Sequence, residues 1–244
     1  MQLGWDGLAP DRCWEIRLSL VILGPSHSEI GSDNACYRQL SLAAWPVRIL
    51  VCVPMRKIIV NIATSADGHV ARTDGNLDWL TRRPAPKGFY GLPKFSRSVD
   101  AKILGRKTFD VSVNMGASFS ADDVHYVFSR QPAPASLPAG VQFVRESIRA
   151  FAERLRRQAG KNIWMMGGGE IIGSFLDEDA IDEFIISIVP TFIGEGIPLI
   201  APRHREAPLQ LLAMQRFPDG VVQLHYAVKL QIKKRPQAHQ NPAD

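Results

Sequence analysis

Short apolar runs alternate with segments of helical period between residues 57 and 190, and this alternation restricts the fold more than any other feature. Strands joined by helical crossovers lie parallel in one sheet, with helices on its faces. Near the end of the chain, Pro218-Asp219-Gly220 separates two alternating runs and predicts an antiparallel hairpin within residues 209–232. We therefore predict an α/β fold with a mainly parallel central sheet and a C-terminal antiparallel hairpin. The predicted strands cover residues 57–64, 101–105, 124–129, 141–145, 162–166 and 181–190, and the predicted helices cover residues 106–116, 148–159 and 170–176.

The first 54 residues differ in character from the rest of the chain. They show no sustained helical or strand period, and they contain the loop-like stretch LGPSHSEIGSDN. A basic start and a strand-like run follow at Met55. We predict a poorly structured N-terminal extension over residues 1–54, a folded domain over residues 55–232 and a flexible tail over residues 233–244. A small subdomain within residues 1–54 is the alternative.

Composition argues against several classes of protein. The net charge of +5 is too small and too dispersed to indicate nucleic-acid binding, and no apolar run approaches the roughly 20 residues of a membrane span. All three cysteines (Cys13, Cys36 and Cys52) lie in the first 54 residues, which disfavours a disulfide scaffold and favours a cytoplasmic protein. Residues 27–29, HSE, match half of a zinc-deaminase signature, but the cysteine half is missing, so we predict no metal site.

Three consecutive glycines, Gly167, Gly168 and Gly169, stand between an apolar predicted strand and a predicted helix. The first N–H groups of a helix are unpaired and carry a partial positive charge, so a phosphate can bind there. It can approach only where no side chain blocks it, and glycine provides that space. A tight turn that binds nothing is the alternative interpretation.

Two further strand ends carry residues suited to phosphate. Gly105 is followed by Arg106, Lys107 and Thr108, and a third predicted strand ends at Ser129 and Arg130. The glycines are not the Rossmann fingerprint, since G-x-G-x-x-G is absent, and no Lys-Ser/Thr pair follows them as in a Walker A loop. Three such strand ends in one sheet favour a ligand with several phosphates, such as a dinucleotide.

These motifs, GRKT, SR and GGGEI after successive strands, with SADG at the first strand and PTFIGEGIPLI near the end, resemble the dihydrofolate reductase-like superfamily. The resemblance is greatest to the reductase domain of the bifunctional deaminase-reductase of riboflavin biosynthesis, and it covers about residues 55–230. It implies a three-layer fold, an NADPH cofactor and the transfer of a hydride to a ribosylaminopyrimidine or a related small substrate.

The resemblance also implies roles for particular residues. Arg106, Lys107 and Thr108, after Gly105, would contact the adenosine phosphates, and Ser129 and Arg130 would line the 2′-phosphate end. The glycines, with the N–H groups of Glu170 and Ile171, would hold the pyrophosphate. The backbone of Thr64 would approach the nicotinamide, and Trp79 would lie near the cofactor. Ser65 and Arg97 are the implied substrate contacts, and Asp67 is the favoured catalytic residue ahead of Asp78 and Glu170. The alternatives are a core position for Trp79, a solvated surface position for Arg97, and a purely local role in the turn for Ser65 and Asp67.

The substrate stays open because two positions depart from the riboflavin branch. Met166 replaces an acid before the glycines, and Leu77 replaces a serine. The stretch KGFYGLPKFS also lacks the pterin-binding acid of true dihydrofolate reductases. A pterin or other small-carbonyl reductase and an NADPH-binding protein without turnover are the alternatives. The resemblance implies a homodimer, with FIISIVP (residues 184–190) near the interface.

Overall fold

The structure is a computed structural model that describes residues 55–229. The predicted extension 1–54 and tail 233–244 lie outside the described residues. The strands are β1 Ile58–Ser65, β2 His69–Ala71, β3 Val99–Gly105, β4 Val124–Phe128, β5 Val141–Val144, β6 Asn162–Gly167, β7 Glu183–Val189, β8 Ile197–Pro198, β9 Leu209–Arg216 and β10 Val222–Val228. The helices are α1 Asp78–Thr81, α2 Leu92–Arg97, α3 Arg106–Asn114, α4 Ile148–Arg157 and α5 Gly169–Asp177.

Eight strands form one sheet in the order β5-β4-β3-β6-β1-β7-β10-β9, and β2 pairs with β8 in a separate small sheet. All neighbouring pairs from β5 to β7 are parallel, whereas β10 is antiparallel to both β7 and β9. The predicted fold, a mainly parallel sheet with a C-terminal antiparallel hairpin, is confirmed. β1 lies inside the sheet between two parallel neighbours, which explains its nearly continuous apolar sequence, IIVNIATS.

Helices cover both faces of the sheet, so the domain has three layers. On one face, Phe151 of α4 makes edge-to-face contacts with Tyr126 and Phe128 of β4 at 5.0 and 4.9 Å between ring centroids. On the other face, Phe109 of α3 packs against Phe143 of β5 at 5.6 Å. The main core lies under α4 and α5, and its fully buried members include Ile58, Val60, Ile103, Phe151, Leu155, Ile163, Met165, Ile172 and Phe175.

The long elements were predicted to within about two residues at each end. The Ser147 side chain caps α4 by accepting a hydrogen bond from the Ala150 amide at 3.3 Å. Four short elements, α1, α2, β2 and β8, were not predicted, because none is long enough to show a period. No helix within residues 55–229 is long and apolar enough to cross a membrane.

The parallel strands place six chain turns at one edge of the sheet. The carboxyl ends of β5, β4, β3, β6, β1 and β7 follow one another along this edge, hereafter the carboxyl edge. Ligands of open α/β sheets bind outside the carboxyl ends of the strands. The candidate site is therefore sought there.

Candidate functional site

The turns after β3 and β6 are in direct contact at the carboxyl edge. A Cβ atom added to Gly168 would lie 3.2 Å from Thr108 Oγ1, and one added to Gly105 would lie 3.4 Å from Ile171 Cγ2. The beginning of α3 therefore lies beside the beginning of α5. The two segments that the sequence suggests for phosphate binding therefore lie side by side.

The three glycines differ in what a side chain would meet at each position. Gly167 has a φ of +113°, a conformation that side chains rarely adopt. A Cβ atom on Gly169 would lie only 2.5 Å from the carbonyl oxygen of Pro198, so the fold itself excludes a side chain there. Gly168 has an ordinary φ of −78°, and the nearest atom to an added Cβ is the side-chain oxygen of Thr108. Gly167 and Gly169 are required by the backbone, whereas Gly168 leaves a narrow cradle beside the Thr108 side chain, between two helix ends.

Both helices at this cradle begin without a side-chain cap. Gly105 precedes α3 and Gly168 precedes α5, and neither helix end receives a side-chain hydrogen bond. α4, by contrast, is capped by Ser147. Uncapped helix N termini present unpaired N–H groups and the positive end of the helix dipole. Two of them side by side form a strong anion-binding position.

The cations of α3 are partly committed to other contacts. Arg106 Nε lies 2.8 Å from both carboxylate oxygens of Asp110, and its guanidinium lies over the ring of Phe143 at 5.6 Å from the centroid. Lys107 is exposed, and Thr108 is half-buried against Gly168. Arg106 is therefore pre-positioned by Asp110, and Lys107 is free to reach an incoming anion.

The next strand end offers a cation of different character. Ser129 Oγ accepts a hydrogen bond from the Gln131 amide and donates one to the Gln131 carbonyl, both at 3.0 Å, so this hydroxyl stabilises its own turn. Arg130 is exposed and makes no hydrogen bond or ion pair with any residue that the structure describes. Arg130 is thus the more available of the two arginines.

Glu170 and Ile171 lie in the first turn of α5, and their side chains are in opposite environments. The Glu170 side chain is exposed and lies 3.3 Å from Arg203 Nη2. Ile171 is partly buried and packs on the main core and beside Gly105. Neither side chain can donate a hydrogen bond, which leaves their amides as the groups that can contact an anion.

The end of β1 holds Thr64 and Ser65, both buried, and the turn that follows holds Asp67. Ser65 Oγ donates to Asp67 Oδ1 at 2.5 Å, and the amides of Ile193 and Gly194 donate to Asp67 Oδ2 at 3.2 and 2.8 Å. Asp67 therefore joins the turn after β1 to the loop after β7.

These hydrogen bonds disfavour Asp67 as a proton donor, which revises the role expected from the sequence. The Ser65 hydroxyl, assisted by the two loop amides, holds the pKa of Asp67 well below its ordinary value. Asp78 does not take its place, because the Arg72 guanidinium, 2.6 Å away, lowers the pKa of that carboxyl as well. Both carboxylates stay ionised at neutral pH.

Trp79 lies in a small buried cluster at the carboxyl ends of β1 and β7. We call it the Trp79 cluster; its other members are Ala63, Leu80, Tyr90, Val189, Ile193, Phe217 and Val221. The indole is only 6% exposed, yet its Nε1 makes no hydrogen bond within residues 55–229. Trp79 is a core aromatic, as one interpretation predicted, and it also retains an unpaired donor that a ligand or a water molecule would satisfy.

Arg97 lies away from the other predicted site residues. It ends α2, and β3 begins two residues later, so Arg97 lies at the amino end of the strand whose carboxyl end carries Gly105. Its carbonyl oxygen accepts a hydrogen bond from Lys161 Nζ at 3.0 Å, just before β6 begins. The contact of Arg97 with the substrate stays a prediction, and the length of β3 separates the Arg97 backbone from the carboxyl edge.

Tyr90 is a residue of this region that the sequence analysis did not identify. Its hydroxyl donates to Asp219 Oδ2 at 2.5 Å, and burial, together with Asp219, raises its pKa to about 12. The side-chain amide of Gln223 donates through Nε2 to the backbone carbonyl of Tyr90 at 3.3 Å. Its one sequence signal was its place between Gly88 and Gly91, which marks a turn but no contact.

The model of the RibD C-terminal domain matches residues 56–223, which is most of the chain. The chain belongs to the RibD C-terminal domain family. This confirms the resemblance to the riboflavin-biosynthesis reductases. Among curated proteins, the uncharacterized protein YwjB of Bacillus subtilis is 41% identical over 172 residues, covering 70% of this chain and 97% of that protein.

Solved structures agree with this membership of the RibD C-terminal domain family. A putative riboflavin biosynthesis protein from Shewanella sp. PV-4 is 28% identical with a TM-score of 0.61, covering 71% of this chain and 99% of that one. The deaminase/reductase of Thermotoga maritima is 13% identical with a TM-score of 0.57, covering 72% of this chain and 57% of that one. Dihydrofolate reductase from Enterococcus faecalis, complexed with NADP(H), is 15% identical with a TM-score of 0.51. The match covers 70% of this chain and 96% of that one. The fold is thus dihydrofolate reductase-like, and the family is one of reductases.

Proposed function

We propose that this RibD C-terminal domain protein is an NADPH-dependent reductase. The observation that carries the proposal is the contact between two uncapped helix N termini at the Gly168 cradle. This arrangement suits a pyrophosphate, and exposed cations lie on the same side of the sheet. The shared fold with a dihydrofolate reductase complexed with NADP(H) supports the choice of cofactor.

Different residues at the carboxyl edge would bind different parts of NADPH. The amides of Glu170 and Ile171 would hold the pyrophosphate above Gly168, with Lys107 and Thr108 beside it. Arg106 and Arg130 would contact the 2′-phosphate. The buried end of β1 at Thr64 would support the nicotinamide, and NADPH, when bound, would supply a hydride. The unpaired Nε1 of Trp79 offers a donor to the ligands.

The proton that accompanies the hydride needs a source other than the carboxyl groups of Asp67 and Asp78. Asp67 and Asp78 are both held ionised by their partners. A carboxylate without a proton cannot act as a general acid. We infer that the proton reaches the acceptor through water and that Asp67 positions the two loops that border the site.

Two substrate classes remain within this proposal. Membership of the RibD C-terminal domain family favours a ribosylaminopyrimidine. The resemblance implies that Arg97 contacts a substrate phosphate. Its position at the opposite edge supports the second candidate, a pterin or other small carbonyl compound without a phosphate group.

The test is to measure NADPH binding and then NADPH oxidation with a panel of acceptors. The panel contains a ribosylaminopyrimidine, dihydrofolate and simple carbonyl compounds. We expect NADPH to bind more tightly than NADH and one acceptor class to support turnover. Failure to bind NADPH would refute the proposal. Tight binding without turnover across the panel would favour an NADPH-binding protein without activity.

We also propose a homodimer, but with an interface different from the one expected. The segment FIISIVP belongs to β7, which is paired on both sides by β1 and β10 and so has no free edge. Within residues 55–229 the edge strands of the sheet are β5 and β9, and all residues of β9 are exposed. Leu211 lies opposite Tyr226 and Met214 opposite Leu224, so both project from the same face, where they are 53% and 69% exposed. An exposed apolar edge strand favours association with a second copy.

A charge on this face should separate the subunits. We expect the double variant Leu211→Lys/Met214→Lys to elute at half the mass of the wild type in size-exclusion chromatography with light scattering. The matched control Gln210→Lys/Gln215→Lys adds the same charges to the opposite face, because Gln210 and Gln215 lie opposite Ala227 and Gln223. A monomeric wild type, or equal dissociation of both variants, would contradict the proposed interface.

A further inference from the structure

Two exposed phenylalanine rings flank the Trp79 cluster at the carboxyl edge. Phe89 is 51% exposed and Phe192 is 79% exposed. Their chain neighbours, Tyr90 and Ile193, both pack into that cluster. The two rings therefore border the same part of the edge, where β1 and β7 end.

The backbone that carries Phe89 is in an unusual conformation. Four consecutive residues have left-handed φ values: Gly88 at 87°, Phe89 at 46°, Tyr90 at 55° and Gly91 at 79°. Glycine adopts this region readily, but residues with a Cβ atom are disfavoured there. Such a conformation persists only where surrounding contacts impose it, and it occurs often at binding sites.

The contacts that impose it act through Tyr90. The Tyr90 hydroxyl donates a hydrogen bond to the Asp219 carboxylate at 2.5 Å, and the Tyr90 backbone carbonyl accepts one from the Gln223 side chain at 3.3 Å. The Tyr90 ring packs edge-to-face on Phe217, with 5.0 Å between the ring centroids. Phe89 contributes much less to the packing, since half of its surface faces solvent. The turn therefore presents the Phe89 ring on a fixed support.

Phe192 is supported in a similar way from the other side. The two residues that follow it donate their amides to Asp67, at 3.2 Å from Ile193 and 2.8 Å from Gly194. The Thr191 carbonyl accepts from the Ala66 amide at 2.9 Å. The loop is anchored on both sides of Phe192, while the ring itself is left exposed.

We propose that Phe89 and Phe192 form an aromatic rim that binds a planar heteroaromatic ring of the substrate by stacking. This inference rests on the proposed reductase function and specifies its substrate class. Aromatic rings on anchored backbone lose little freedom on binding, and a planar ring gains both apolar contact and ring–ring attraction.

The test uses variants that remove each ring without disturbing the backbone. Phe89→Gly suits the left-handed conformation, and Phe192→Ala alters a ring with little packing. Met115→Ala is the matched control, since Met115 is 62% exposed at the far end of α3. The probes are pterin and uracil as planar rings and cyclohexanone as a non-planar carbonyl compound, each titrated into the NADPH complex of the full chain.

We expect the wild type to bind the planar probes in preference to cyclohexanone. Phe89→Gly and Phe192→Ala should each weaken planar-probe binding by about tenfold, with NADPH affinity and the control unchanged. Wild-type affinity in both variants, or a wild type that prefers cyclohexanone, would overturn the rim while leaving the reductase proposal intact. A chain that binds the planar probes through the rim but not NADPH would instead refute the reductase proposal.

Discussion

Valine in place of Gly168 is expected to lower NADPH affinity by at least about a hundredfold while the domain stays folded. The backbone at Gly168 has a φ of −78°, which valine accepts. Its side chain would fill the cradle beside Thr108 and block the amides of α5. Loss of two charge-assisted hydrogen bonds of about 1.5 kcal/mol each corresponds to roughly a hundredfold. The measurements are the NADPH dissociation constant and the thermal unfolding temperature.

A series of side-chain sizes at this position distinguishes blocking from unfolding. Gly168→Ala should reduce NADPH affinity less than Gly168→Val, with both unfolding near the wild-type temperature. Gly169→Ala is the opposite case, because its Cβ atom would collide with the Pro198 carbonyl oxygen, and we expect it to destabilise the fold. If a folded Gly168→Val protein binds NADPH as tightly as the wild type, the glycines serve only the turn.

Removal of Arg106 and Arg130 together is expected to weaken NADPH binding by roughly 10²–10⁴-fold and to leave NADH binding almost unchanged. The two cofactors differ by one phosphate, and each charge-assisted hydrogen bond to it contributes about 1.5–3 kcal/mol. Since Arg106 already bonds Asp110 and Arg130 has no partner within residues 55–229, we expect Arg130 to account for the larger share. High salt should reduce the wild-type preference for NADPH.

Arg145 provides a matched control for this pair. It is an exposed arginine that follows β5 directly, one strand further from the cradle than Arg130. Arg145→Ala should leave the affinity for both cofactors unchanged. Equal loss of NADPH and NADH in the double variant would show that the arginines hold the pyrophosphate or the fold, and the 2′-phosphate would then lie elsewhere.

The long elements were predictable because their patterns are local. The nearly continuous apolar runs of β1 and β6 and the shared face of Ile148, Phe151 and Leu155 in α4 require no knowledge of distant residues. α1 and α2 were missed because four and six residues carry too little pattern. Tertiary contacts stabilise them instead, such as the packing of Phe95 on Trp164 at 5.4 Å.

The site was predictable to the extent that it depends on strand ends. Glycines and cations after parallel strands must gather at one edge, and the structure brings Gly105, Thr108 and Gly168 together there. Arg97 lies apart from these residues, since a residue that closely precedes a strand lies at the opposite edge. The sequence also offered no sign that Asp67 would be occupied by amides more than a hundred residues away.

The sequence by itself determined the order of strands and helices, and through it the parallel sheet and the phosphate-suited edge, because hydrophobic period and glycine placement act over a few residues. Only the tertiary structure decided which groups are free to act. Whether Asp67 can carry a proton, whether Arg106 is paired and whether Phe89 is exposed all depend on neighbours distant in the chain. Burial and hydrogen bonding set the pKa and availability of a side chain, and both arise only when distant segments pack together.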